Sequence, residues 1–150
     1  MNKTVLNNIK LSLLSGLKLV LIGSVFVAAL EVATSVFNIP ISLHWIALFY
    51  LAREIAIRIR SHIFYEHKIF PWLSVICMIL LFYISGVWSI LIINISVART
   101  INFELLKIAL NPVFRFYFLL PLGSYFYQIG NIIEVLFFLA VLILSYRYTK

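Results

Sequence analysis

Residues 43–62 read LHWIALFYLAREIAIRIRSH. An apolar run leads to an adjacent Arg53–Glu54 pair, and apolar residues then resume with Arg58 and Arg60 among them. The fold turns on whether that pair lies in water, at a bilayer edge or within the bilayer. Started at Ser42, a helix carries Arg53 and Glu54 about 17–18 Å along at ~1.5 Å per residue. A hydrocarbon core of about 30 Å then holds the pair in its inner half. Arg53 can snorkel toward the headgroups, whereas the shorter Glu54 needs a partner or a proton. Arg58 follows Glu54 by four residues, the favourable order for a helix ion pair, so an ion-paired inner end is the plainest reading.

Composition supports the membrane setting. The chain has 150 residues, 64% of them hydrophobic and only 11% charged. A soluble domain carries about 25% charged residues, and this one has too few to cover a water-facing surface. The net charge of +7 does not point to nucleic acid, because the basic residues sit between apolar runs and form no clustered face. The single Cys77 has no second cysteine for an internal disulfide and reads as a small buried apolar group. Lys3 and Lys10 precede an apolar stretch as in a signal peptide. Lys18 interrupts that stretch and no clean small-x-small site follows, so the segment is expected to stay as a membrane helix.

The expected fold is all-α: a polytopic membrane protein forming one transmembrane domain over residues 1–150. It has four spans, near 16–37, 42–58, within 69–98 and 125–146. The first stops at the NIP of residues 38–40. The third lies in a charge-free run that would rise about 45 Å, so it tilts, overshoots the lipid or breaks near Gly86 or Asn94. Between spans three and four, Arg99, Glu104 and Lys107 alternate with apolar residues as in an interfacial helix, with Pro112 as its end. Residues 113–127 suit a re-entrant hairpin or an interfacial aromatic belt. Their short length and Arg115 argue against a fifth span. With both termini inside, Lys3, Lys10, Lys18, Arg53, Arg58, Arg60, Lys68, Arg147 and Lys150 are cytoplasmic, against Arg99, Lys107 and Arg115 outside. That asymmetry orients the chain in the inner membrane, both termini cytoplasmic.

The polar residues at membrane depth form the candidate site. Glu31 lies on the small-residue line Ser24–Ala28–Glu31–Ser35, which suits close helix packing. His44, Glu54 and Arg58 share a face of span two with Ala47 and Leu51. Glu134 stands beside Asn131 in span four. A charge near the bilayer centre costs about 2.5–3.5 kcal/mol on insertion scales. These carboxylates must therefore be paired, protonated or in contact with a water-filled cavity. The plain expectation is a polar packing seam, with Glu31 reaching Arg53 or His44 and Glu134 hydrogen-bonded to a neighbouring helix. The sharper one is an ion or proton path along Glu31, His44, Glu54 and Glu134.

Other chemistries find no foothold. In HIFYEH, His62 and His67 stand five residues apart, which separates them on a helix, so no metal site is expected. His44 has no second histidine at its depth for haem. There is no phosphate loop and no nucleophile with a base beside it. The aromatic runs FRFYF and SYFYQ read as interface anchors.

FYLAREIAIRI in span two, IFPW at the start of span three and EVLFFLAVLIL in span four resemble the phosphate-starvation-inducible protein E (PsiE) family. Those are small bacterial four-span membrane proteins. The resemblance implies that Glu54 and Glu134 stand where the family has acidic residues, and that the chain is a stress-related inner-membrane protein. The expected function is therefore non-enzymatic and accessory, through helix–helix contact in a homo-oligomer or with another membrane protein, without cofactor or metal. An oligomeric proton or ion pathway, or an immunity- or holin-like role, is the alternative.

Overall fold

The computed structural model describes residues 3–38, 43–61, 68–98, 103–121 and 126–150. Among them the chain is helical, with no strand. Helix α1 spans Lys3–Val36, α2 Leu43–Arg60 and α3 Ile69–Ala98. Two short helices follow, α4 at Phe103–Leu110 and α5 at Pro112–Arg115, then a 3-10 turn at Tyr117–Leu119. Helix α6 spans Ile129–Thr149 and closes the bundle.

Helices α1, α3 and α6 are long and apolar enough to cross a bilayer, which marks this as a membrane protein. Helix α2 forms where expected, but Arg53, Glu54, Arg58 and Arg60 keep it outside that set on composition. Its 18 residues would rise about 27 Å.

Several boundaries differ from expectation. Helix α1 begins well before residue 16, because Lys10 and Lys18 are good helix formers and nothing interrupts the chain. Helix α3 runs unbroken past Gly86 and Asn94. Helix α4 ends at Leu110, and Pro112 starts α5, where its missing N–H costs nothing. Asn111 caps that turn by accepting from the Val113 N–H at 3.0 Å. Helix α6 starts four residues later than expected, after an extended Gln128. Asn38 closes the α1 end with a φ of 48°, a left-handed conformation that asparagine tolerates. The HIFYEH segment, residues 62–67, lies outside the described residues.

Helices α2 and α3 form the centre, each packed on both α1 and α6; α1 and α6 do not touch among the described residues. Ser12 Oγ donates to the Ile59 carbonyl at 3.4 Å, and Ser74 hydrogen-bonds Ser145. The start of α1 and the end of α2 therefore share one end of the bundle, as do the start of α3 and the end of α6. Gly16 lies against Cys77 and Ile59, and Gly23 against Leu51 and Leu81, so α1 seats closely through residues that lack a side chain. The core between these layers is apolar: Val20, Val27, Leu48, Ile55, Met78 and Leu81 are all buried.

Candidate functional site

The segment after α4 returns into the bundle. Phe116 and Phe118 pack on Phe82 and Phe138 with ring centroids 5.6–6.0 Å apart. Phe82 and Phe138 meet at 5.0 Å, and Trp45 stacks on Phe82 at 5.9 Å. Such ring pairs are favourable beyond their burial alone. The FRFYF run is thus divided: Phe116 and Phe118 are part of the core, while Phe114 and Tyr117 are exposed. Phe116 and Phe118 are not interface anchors, because the 3-10 turn directs them inward. Asn131 holds the return in place, its Nδ2 donating to the carbonyls of Phe118 at 3.0 Å and Phe126 at 3.3 Å. Non-helical backbone is tolerated beside apolar spans when protein covers it and pairs its polar groups. No fifth span forms among the described residues of this segment.

The return delivers Arg115 to Glu31. Arg115 Nη1 and Nη2 donate to Glu31 Oε1 and Oε2 at 2.9 and 3.1 Å, a two-pronged fork. Arg115 Nε donates to the Phe82 carbonyl at 3.2 Å, and Nη2 also reaches Ser85 Oγ at 3.4 Å. The guanidinium carbon lies 4.2 Å from the Phe82 ring centroid. Ser89 Oγ donates to Glu31 Oε2 at 2.9 Å. The two side chains are 18% and 26% exposed, so the pair is largely removed from solvent. The stretch FYISGVWS, residues 82–89, supplies a carbonyl, two hydroxyls and the gap at Gly86 that admits the arginine.

Beside the fork lies a half-open cavity of about 450 Å³. Its polar lining is Glu31, His44, Arg115 and Glu134; Trp45, Phe82, Tyr117 and Phe118 supply aromatic walls. His44 Nδ1 is buried with no hydrogen-bond partner. Glu134 has neither an ion pair nor a hydrogen bond among the described residues.

Three of the expected site residues therefore meet: Glu31, His44 and Glu134. Asn131 stands one turn from Glu134, buried, and acts as a tether. Arg53, Glu54 and Arg58 are not part of this cluster; about ten residues, or ~15 Å of α2, separate His44 from Glu54. The partner of Glu31 is Arg115, not Arg53, and no ion pair joins Glu54 to Arg58 among the described residues. Arg53 faces outward on the stripe Ile46–Tyr50–Arg53–Ile57–Arg60, each of which is exposed. Arg115 was not among the expected site residues. Its signal was a lone cation in an apolar run between Pro112 and Pro121, which calls for an acidic partner. No group of three or more metal-ligating side chains occurs among the described residues. No family model, curated protein or solved structure matches the chain.

Proposed function

We propose that this is a small, non-enzymatic, PsiE-like accessory protein of the inner membrane that acts by pairing with a second copy of itself. Helix α2 is the fourth crossing, α4 lies in the outer interface, and both termini are cytoplasmic. The observation that carries the pairing is the outward position of Arg53 next to Glu54 on α2, without an ion pair among the described residues. Arg53 on the outer face and the half-exposed Glu54 at its edge are self-complementary across a two-fold axis: Arg53 of each copy meets Glu54 of the other. The orientation rests on charge. Lys10, Lys18, Arg58, Arg60 and Arg147 lie on the parts of α1, α2 and α6 that share one end of the bundle, and Lys68 immediately precedes α3 at that end.

An ion path through one protomer is disfavoured by the apolar layer between the two charged regions. Leu48, Leu51, Ala52, Ile55 and Leu81 are buried there. Ser24 in that layer donates to the Leu21 carbonyl on its own helix. The test is the native mass of the protein extracted in mild detergent. A dimer is expected; Arg53→Glu and Glu54→Arg should each dissociate it, and the double exchange should restore it. A wild-type chain with a single-protomer mass overturns the reading.

A further inference from the structure

Two carboxylates approach the cavity, and their situations differ. Glu31 is satisfied by Arg115 and Ser89. Glu134 lines the same cavity with no such partner among the described residues. An ionisable group at membrane depth without a partner from its own chain is costly and marks a functional position. The charges of Glu31 and Arg115 cancel, so Glu134 sets the sign of the cavity.

The hydrogen-bonding capacity is equally one-sided. Arg115 commits four of its five N–H groups, on Nη1, Nη2 and Nε, to Glu31, Ser85 and the Phe82 carbonyl, which leaves a single Nη1–H and no second two-pronged fork for an anion. Two acceptors remain: the Glu134 carboxylate, and His44 Nδ1 when the imidazole proton is on Nε2. Around them stand the rings of Trp45, Tyr117 and Phe118. Aromatic faces attract cations, and apolar walls receive an apolar body. The volume of about 450 Å³ falls within the ~300–1,000 Å³ range of small-molecule sites.

We propose that this cavity binds a protonated amine with an apolar body, its N–H groups donating to Glu134 and His44 and its body lying among Trp45, Tyr117 and Phe118. The site is complete within one protomer and does not depend on self-association.

The test uses the full chain purified in mild detergent. Binding is followed by calorimetry and by tryptophan fluorescence, since Trp45 lines the cavity. Three probes of nearly equal shape differ in their terminal group: 2-phenylethylammonium, neutral propylbenzene and anionic 3-phenylpropionate. The amine should bind saturably, and the other two should bind about tenfold or more weakly, as loss of a charge-assisted hydrogen bond implies. Glu134→Gln should lose about tenfold or more in amine affinity. Glu104→Gln, on an exposed residue of α4, should lose none. The probe series needs no variant, so it decides the matter even if Glu134→Gln does not fold. The proposal is overturned by any of three results: no saturable amine binding up to millimolar concentration, equal binding of the neutral or anionic probe, or unchanged affinity in a folded Glu134→Gln protein. Native mass of the same preparation reports on dimerisation separately.

Discussion

Arg115 occupies the space that a side chain at Gly86 would fill: a Cβ there would come within 2.5 Å of Arg115 Nε and 2.6 Å of its Cδ. The glycine in α3 and the arginine of the returning segment are thus one structural device. The bare stretch of helix lets the guanidinium lie across α3 and reach both the Phe82 carbonyl and Glu31.

Gly86→Val should therefore act through Arg115. The added side chain expels the guanidinium and strands Glu31, so apparent stability should fall by roughly 3–5 kcal/mol, the usual result of breaking a buried pair. Thermal unfolding in detergent measures it. In an Arg115→Ala background the same valine should cost much less, because the clash has gone; additive losses would show that position 86 matters for another reason.

The fork itself invites a double-mutant cycle. Arg115→Met leaves Glu31 with only Ser89 as donor and should cost roughly 3–5 kcal/mol. Glu31→Leu leaves the arginine without its acid partner and should cost a similar amount. Replacing both removes the two charges together and should recover most of the loss, since a buried ion pair and an apolar pair are often close in stability. Chemical denaturation of the four proteins in one detergent gives the coupling; no coupling would mean that the two residues act independently.

Gly23 and Gly130 should respond in opposite directions to the same change. A Cβ at Gly23 would come within 3.0–3.1 Å of Leu51 and 3.2 Å of Leu81. Gly23→Ala should therefore destabilise by about 1–3 kcal/mol through overpacking. At Gly130 nothing lies within 4 Å of the added Cβ. Gly130→Ala should stabilise by roughly 0.5–1 kcal/mol because alanine is the better helix former. Melting temperatures of the two variants test both signs.

Where the sequence was informative, the reason was periodicity and charge spacing. The charge-free run 69–98 reads directly as α3, and the exclusion of charge from most of α1 and α6 has the same physical cause. The line Ser24–Ala28–Glu31–Ser35 marks an inward face over its first three members, since Ser24 and Ala28 are buried and Glu31 finds its partner inside, whereas Ser35, in the last turn of α1, is exposed. The identity of that partner was hidden. Glu31 and Arg115 are 84 residues apart, and no local rule relates them. Gly86 read as a candidate break because glycine weakens helices; only the arginine above it reveals a packing role. Arg53 and Glu54 drew attention by adjacency, but the helical turn of α2 places Arg53 outward, away from the buried cluster.

Asn131 offers the most direct handle on the returning segment. Its amide donates to two carbonyls, Phe118 and Phe126, that have left regular helix and lie next to apolar rings. Leucine at this position keeps the volume but removes both donors. Each carbonyl left without a partner costs about 1–3 kcal/mol when buried. Local opening of the segment should become easier while α1, α2 and α3, to which the Asn131 amide makes no hydrogen bond among the described residues, keep their protection. Hydrogen exchange followed by mass spectrometry should then show faster exchange over residues 113–120 in Asn131→Leu, with peptides from residues 48–59 unchanged. If that segment loosens, Arg115 is held less firmly and the fork with Glu31 weakens in turn, so the variant should also reduce the coupling between Glu31 and Arg115. Exchange over 113–120 equal to wild type would show that the aromatic contacts of Phe116 and Phe118 suffice to hold the segment without the asparagine.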